Sequence, residues 1–159
     1  ILKDAGCEMI LLEMMFDPIR MRPAIEAALS TGLPVWAGLS SRRGDDGSIK
    51  SYLPTKDIPF GEIAKIGAEY DLEVMGAMHS PSDVVAESLD IVRKYFDGAL
   101  SAYPDSGYFK MPNWIFEEII TPDELLVFAR QWKQSGVQIL GGCCGLSPEH
   151  IAAVSQLKS

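Results

Sequence analysis

The sequence predicts an α/β fold in which five parallel strands alternate with helices. Short apolar runs, each long enough for one strand, alternate with longer segments whose apolar residues recur at helical spacing. The first of these runs, Met9–Leu12, is apolar throughout rather than alternating, as expected of a strand that is buried on both faces. Repeated βα units of this kind build a parallel sheet with helical crossovers.

The first two predicted units cover the chain up to Tyr70. Met9–Leu12 is the first predicted strand, and Pro18–Ser30 is the helix that follows it. Val35–Leu39 is the second strand. A long polar loop leads from it to a helix over Pro59–Tyr70, in which two glycines weaken the helical propensity.

Three further units complete the alternation. Their predicted strands are Glu73–Met78, Gly98–Ala102 and Val137–Leu140, and the helices that follow end near Phe96, Gln134 and Leu157. Thr121 and Pro122 form a helix start of high quality, because threonine is a good N-cap and the acids after Pro122 complement the helix dipole.

Composition excludes several classes of protein. The chain has 159 residues, 47% of them hydrophobic, which predicts one globular domain over residues 1–159. A net charge of −8, with no basic cluster beyond Arg42 and Arg43, argues against nucleic-acid binding. No apolar run approaches the roughly 18 residues of a membrane span. Three cysteines do not make a disulfide framework, so a cytoplasmic location is expected. Because the chain begins at Ile1, we expect it to be part of a longer polypeptide.

Two adjacent cysteines lie in a glycine-rich loop, Gly141–Gly145, after the last predicted strand. Ser147 and Pro148 open the next helix, so the cysteines occupy a βα loop, where α/β proteins gather functional residues. They could simply fill space as small buried residues. Alternatively, the helix N-terminus lowers the thiol pKa and the pair binds a soft metal or performs thiol chemistry. A disulfide between neighbours is disfavoured, and a redox dithiol typically has the spacing Cys-x-x-Cys.

Three motifs resemble one enzyme family. Gly141–Gly145 with the following Pro148–Ile151 resembles the C-terminal signature of the zinc-dependent homocysteine S-methyltransferases, which include betaine, S-methylmethionine and cobalamin-dependent methionine-forming enzymes. Tyr103–Gly107 resembles the family's Tyr-Pro-Asn-Ser-Gly loop. The segment from Ala5 to Glu13 resembles its Gly-x-Asp and Glu-Thr strand. The resemblance covers essentially the whole chain.

The resemblance implies a TIM-type (βα)₈ barrel of which this chain supplies strands four to eight, and therefore an incomplete barrel. The first three βα units would be absent. Both end strands of the resulting sheet are apolar, and exposed edges of that kind recruit other strands. We therefore expect the chain either to pair with a missing N-terminal barrel half or to self-associate.

The resemblance also implies a zinc site. In the family, two cysteines after strand eight and one after strand six hold the metal. Cys143 and Cys144 match the pair, whereas His79 stands at the position of the third cysteine and Met78 replaces the preceding asparagine. Two cysteines and a histidine with an open fourth position form a known catalytic zinc arrangement. The alternative is an ordinary loop histidine in a chain that has lost its metal.

Three further residues are implied to bind substrate. Glu13 matches the carboxylate that holds the substrate's ammonium group, and Tyr103 either lines the pocket or packs. Asp105 replaces an asparagine, which exchanges an amide that can donate a hydrogen bond for a carboxylate that cannot. Cys7 is expected to be structural, and His150 to be a surface or capping residue.

The implied function is zinc-dependent methyl transfer to the thiol of homocysteine, forming methionine, or to a similar thiol. The partners are a small-molecule thiol and a methyl donor, whose identity the sequence does not reveal, and no catalytic residue is expected beyond the metal site. The isolated chain is expected to be inactive, because three of eight barrel units are missing. The alternative is a non-catalytic, metal-free barrel fragment or binding domain derived from such an enzyme.

Overall fold

A computed structural model describes residues 1–112 and 115–158. Its elements in chain order are β1 (Ile10–Met15), α1 (Pro18–Leu29), β2 (Val35–Leu39), β3 (Ser41–Arg43), β4 (Ile49–Ser51), α2 (Phe60–Ala68), β5 (Val74–Pro81), α3 (Ser82–Val92), β6 (Ala99–Asp105), β7 (Tyr108–Lys110), β8 (Ile115–Glu117), α4 (Pro122–Gln134), β9 (Ile139–Leu140) and α5 (Pro148–Ser155).

The main sheet confirms the predicted α/β architecture. Its five strands lie in the order β1-β2-β5-β6-β9, and every neighbouring pair is parallel. Each new strand is added on the same side of the previous one, and a helix lies in each connection. The carboxyl ends of all five strands therefore lie at one edge, where the loops after them can form a common site.

Two short hairpins occupy loops that the sequence left without structure. β3 pairs with β4 in the polar loop after β2, and β7 pairs with β8 in the long loop after β6. Their strands have three residues each. A run that short shows no alternation long enough to separate a strand from a loop, which is why the sequence pattern missed them.

Strands β5 and β6 extend three residues beyond their predicted ends. β5 continues to Pro81 and β6 to Asp105, with a register irregularity between Met78 and Pro81. His79 and Asp105 therefore belong to the strand ends rather than to loops. The extension includes prolines, which are poor strand formers, so the sequence predicted the strands to stop earlier.

The helix starts are well predicted, but several helix ends are not. Thr121 forms a full capping box with Glu124 at the start of α4, and α5 begins at Pro148 behind Ser147 as expected. α3 ends at Val92, four residues before the predicted end, because residues after it form turns. In the part of the chain that the structure describes, no helix is long and apolar enough to cross a bilayer.

The hydrophobic core lies between the helices and one face of the sheet. Alternate strand residues such as Leu39 and Met75 pack there with Phe60, Ile63 and Trp132 of the helices, and each of these side chains is at most 1% exposed. The opposite face is partly filled by its own side chains. Val74 and Met78 are each 4% exposed, and a Cβ added to Gly38 would lie 2.6 Å from the Met78 sulfur. Met78 is thus a buried packing residue.

Candidate metal centre

His79, Cys143 and Cys144 come together at the carboxyl edge of the sheet. Their ligand atoms all lie within 4.8 Å of one another. Cys143 Sγ is 3.7 Å from His79 Nδ1 and 3.8 Å from Cys144 Sγ. All three side chains are partly buried. Residues from β5 and from the loop after β9, 64 positions apart in sequence for Cys143 and His79, thus form one cluster.

Two of the three ligand pairs in the cluster have the spacing expected around a tetrahedral metal ion. Zinc binds imidazole nitrogen at about 2.0 Å and thiolate sulfur at about 2.3 Å, so neighbouring ligand atoms lie about 3.5–3.8 Å apart around it. The two measured distances agree with that spacing. Two thiols and one imidazole are ligands that zinc prefers, and three protein ligands leave a fourth position for a substrate atom.

The cysteine loop is fastened to the segment after β6. The Cys143 N–H donates to the Pro104 carbonyl at 2.8 Å, and the Ser106 N–H donates to the Cys144 carbonyl at 3.0 Å. Gly145 has a φ of +79°, and a Cβ there would lie 1.9 Å from the Ser106 oxygen. Glycine is therefore required, both for the backbone conformation and for the close approach of the two segments.

His79 is held by a bulge at the end of β5. Its φ of +46° is unusual for a residue that is not glycine. The next residue, Ser80, is fully buried; its hydroxyl donates to the Met78 carbonyl at 3.0 Å and accepts from the Ser41 N–H at 2.9 Å. The Tyr52 ring packs edge-on against the imidazole, with centroids 4.9 Å apart. These contacts fix the direction of the His79 side chain.

Replacing Ser80 with alanine tests this bracing. The variant leaves the Met78 carbonyl and the Ser41 N–H without their hydroxyl partner in a buried place, so we expect a loss of about 1–3 kcal/mol in the free energy of unfolding. Chemical denaturation of the metal-free protein measures it. Ser82→Ala is the matched control, because the Ser82 hydroxyl is also buried but has no hydrogen-bond partner among the described residues. Equal losses in the two variants would contradict a bracing role for Ser80.

Electrostatics at the centre differ from the sequence expectation. Burial raises the pKa of the Cys143 thiol to about 11, so the prediction that the helix N-terminus lowers the thiol pKa is wrong for Cys143. Desolvation is the largest cause and outweighs the backbone hydrogen bond that lowers this pKa, and Cys144 and Asp105 add to the rise. Burial also raises the pKa of Asp105, whose Oδ2 lies 3.8 Å from His79 Nδ1, while the histidine opposes that shift. A bound cation would reverse this balance, because a coordinating thiol is deprotonated outright.

A metal-free Cys-His-Asp nucleophile is not supported by this geometry. In such a relay the two imidazole nitrogens face different partners, the thiol on one side and the acid on the other. Here the same atom, His79 Nδ1, is near both Cys143 Sγ and Asp105 Oδ2. The three cysteines are free, so the disfavoured disulfide is not formed either. The arrangement suits metal coordination better than covalent catalysis by a thiol.

Only one of the three predicted substrate residues lines the cleft beside this cluster. The cleft has a volume of about 570 Å³, and Asp105, His79, Cys144 and Tyr52 are among its lining residues. Tyr103 instead packs over the start of the cysteine loop, since a Cβ on Gly141 would lie 2.4 Å from its ring.

Glu13 is placed on a different part of the sheet. It is exposed on β1, at one end of the sheet, and is not among the described residues that line the cleft. Leu12 packs toward the core, so by alternation Glu13 faces the side of the sheet opposite the helices.

His150 corrects a sequence expectation in part. It is 6% exposed, so the expected surface position is wrong, while the expected capping role is found: the Ser147 N–H donates to its Nδ1 at 3.1 Å. Because Nδ1 accepts, Nε2 carries the proton and donates to the Ile120 carbonyl at 2.7 Å. His150 thus ties the start of α5 to the segment before α4.

Two other residues also differ from the sequence analysis. Tyr52, which contacts His79, was missed; its only signal was that it is the one aromatic residue in the loop after β2. Cys7, for which a structural role was predicted, is exposed, and it precedes β1 at the opposite end of the strands from the metal cluster.

Comparison with known proteins places this geometry in context. A family profile described as homocysteine S-methyltransferase matches residues 1–157. Homocysteine S-methyltransferase 1 of Zea mays is 24% identical over 163 residues, which cover 99% of this chain and 48% of the relative. Betaine–homocysteine S-methyltransferase 1 of Danio rerio is 26% identical over 145 residues, which cover 84% of this chain and 36% of the relative. The chain thus spans about half the length, or less, of these relatives.

Solved structures show the same fold. The homocysteine methyltransferase MmuM of Escherichia coli, in its metallated form, matches with a TM-score of 0.72 at 19% identity, covering 99% of this chain and 47% of that one. The oxidized form of the same protein matches with a TM-score of 0.71 at 18% identity, covering 99% of this chain and 48% of that one. The α/β architecture of the present chain therefore corresponds to about half of a longer fold.

Proposed function

Because the chain belongs to the homocysteine S-methyltransferase family, we propose that it forms the metal-binding part of a zinc-dependent thiol S-methyltransferase. The observation that carries the proposal is the convergence of His79, Cys143 and Cys144 on one point with the spacing of a tetrahedral site. The acceptor is the thiol of homocysteine or a similar small thiol, and the second substrate is an electrophilic methyl donor. The product with homocysteine would be methionine.

In this proposal, residues 1–159 are one domain that provides strands four to eight of a (βα)₈ barrel. The addition of each strand on the same side of the last supports this, as does the match to half of a longer structure. The remaining strands would belong to the same longer polypeptide. Catalysis would require them, because a half barrel leaves the reacting groups exposed to water and does not orient the donor.

The residues of this chain have separate tasks in the proposed reaction. His79, Cys143 and Cys144 would hold zinc, which as a Lewis acid lowers the pKa of a substrate thiol. The substrate thiol would lose its proton to water, its sulfur would form a bond to the methyl carbon, and the donor would leave with the electron pair of its bond to methyl. Tyr52 packs edge-on against His79 and lines the cleft beside the metal cluster.

Substrate contacts are assigned by position. Glu13 would pair with the ammonium group of an amino-acid thiol, a role supported by its placement on the face of the sheet opposite the helices. Asp105 lies in the cleft close to the metal cluster, so it contacts the site from the β6 side. Tyr103 would shape the site indirectly by supporting the cysteine loop at Gly141.

A second candidate is a non-catalytic, metal-free barrel fragment or binding domain. It is favoured by one observation, the histidine at position 79 where the family resemblance places a cysteine. Metal content separates the two candidates, because the second predicts no ordered metal at all.

Zinc content of the purified chain tests the proposal. Protein made in zinc-supplemented medium is expected to carry about one zinc per chain, and Cys143→Ser to lose it, because a serine hydroxyl is a poor ligand in place of a thiolate. Elemental analysis measures both. Cys7→Ser is the matched control, since Cys7 is exposed at the other end of the strands. Less than about a tenth of an equivalent in the unmodified chain would reject zinc binding and favour the metal-free candidate.

A further inference from the structure

We propose that Asp105 is the charge-balancing partner of His79 in the metal centre: its carboxylate, beside the ring nitrogen that faces the cluster, supplies the negative charge that a third thiolate would otherwise bring. The inference rests on the proposed zinc function and deepens it. It concerns a pair of side chains from two neighbouring strands, β5 and β6, whose ends lie side by side.

Geometry places the two groups face to face. Asp105 Oδ2 lies 3.8 Å from His79 Nδ1, and the two side chains are only 16% and 14% exposed. The same ring nitrogen is 3.7 Å from Cys143 Sγ. The carboxylate and the Cys143 thiol thus both face this ring nitrogen. A cation held by His79, Cys143 and Cys144 would lie near the Asp105 carboxylate, which is outside that set of three ligands.

Within the described part of the chain, the Asp105 carboxylate has no basic partner other than His79. The residues described along the cleft lining include no lysine or arginine. The two other acids of the lining, Asp83 and Glu118, are exposed, so water screens their charge. A partly buried carboxylate without a cation is costly, because burial removes the water that stabilises its charge. A divalent metal at the cluster would offset that cost.

The pairing of Asp105 with His79 would set the total charge of the metal site. Two thiolates and a neutral imidazole leave a Zn²⁺ site formally neutral, whereas three thiolates give it one negative charge. With Asp105 ionised, the present site also has one negative charge. Asp105 faces His79 Nδ1, the same ring nitrogen that faces Cys143, so its carboxylate acts on a bound cation by its charge. Removing an opposite charge this close to a partly buried cation is expected to lower metal affinity about 10- to 100-fold.

A double-mutant cycle on zinc affinity tests the pairing. Zinc dissociation constants are measured by competition with a chromophoric chelator for the unmodified chain, Asp105→Asn, His79→Cys and the double variant. In the unmodified chain, which has His79, Asp105→Asn is expected to weaken zinc binding about 10- to 100-fold. In the His79→Cys background, the third thiolate already supplies the charge and is repelled by Asp105. There the same change should alter affinity by less than about threefold, or tighten it.

Two controls separate pairing from general effects. Asp83→Asn removes the same charge from an exposed position in the same cleft and is expected to leave the zinc dissociation constant within about twofold. Cobalt substitution reports the ligands directly, because the intensity of thiolate-to-cobalt charge transfer rises with the number of thiolates. Asp105→Asn should keep the intensity of two thiolates while weakening binding.

The outcomes are distinguishable. An unmodified chain that binds no zinc overturns both the proposed function and this inference. The inference alone is overturned if the chain binds zinc but Asp105→Asn lowers zinc affinity by the same factor in the unmodified chain and in the His79→Cys variant. So does an equal loss with Asp83→Asn. If His79→Cys does not fold, comparison of Asp105→Asn with Asp83→Asn still decides: a selective loss in the first, with the cobalt intensity unchanged, supports the pairing, and equal losses overturn it.

Discussion

Replacing Gly145 with alanine is expected to weaken zinc binding severely while leaving the five-stranded sheet folded. The added Cβ would lie 1.9 Å from the Ser106 carbonyl oxygen, and the φ of +79° is unfavourable for alanine. The clash is with backbone, so no side-chain rotation can relieve it. The loop must move, and with it Cys144, whose carbonyl accepts from the Ser106 N–H. We expect zinc affinity to fall by about 100-fold or more, because a misplaced ligand is lost outright.

Gly47→Ala is the matched control for this variant. Gly47 has nearly the same φ, +78°, but nothing described lies within 4 Å of the position its Cβ would take, and it belongs to the turn between β3 and β4. It should cost about 1 kcal/mol in stability through backbone strain and leave zinc affinity unchanged. Zinc titration and far-UV circular dichroism of both variants make the measurement. Full zinc binding by Gly145→Ala would show that the loop tolerates another conformation.

The parallel sheet could be predicted because the physical signal of its strands is strong, whereas the strand order was implied by the family resemblance. Apolar runs such as Val35–Leu39 have few alternatives to a buried strand, and the helix start at Thr121 combines an N-cap, a proline and first-turn acids. The hairpins could not be predicted, because pairs of three-residue strands such as β3 and β4 are stabilised by contacts with the rest of the fold rather than by their own pattern.

The sequence motifs identified the candidate metal ligands but not the burial and contacts around them, which depend on how distant segments pack. The motifs brought attention to Cys143, Cys144 and His79, and the structure places them together. The motifs did not indicate that burial would raise the pKa of Cys143, because desolvation depends on how the surrounding segments pack. They also did not indicate that Tyr52 would contact His79, since the β3–β4 hairpin carries it there.

The 159-residue polypeptide, produced on its own, is expected to self-associate through the two ends of its sheet. β1 is one end strand, and its residues Ile10, Leu11 and Leu12 are only partly covered. β9 is the other, and beside it lies a groove of about 820 Å³ lined largely by apolar groups, among them Ile139 and Leu157. End strands with unpaired backbone groups and apolar side chains pair with other chains.

The face of the sheet opposite the helices is expected to contribute less to self-association than the two end strands. Val74 and Met78 at its centre are already buried within the chain itself. Two copies would offer ten strands, whereas the barrel needs eight, so dimerisation does not give a closed barrel. Association should therefore be open-ended and should increase with protein concentration.

Light scattering over a series of concentrations measures this association, with 17.4 kDa as the mass of a single chain. Ile139→Lys and Leu11→Lys place a charge at each end strand and should reduce the average mass, because an inserted lysine opposes strand pairing. Val127→Lys is the matched control, since Val127 is 57% exposed on α4 and is not among the described residues that line the groove beside β9. A monodisperse single-chain mass with cooperative unfolding at all concentrations would show that the chain protects its own sheet ends.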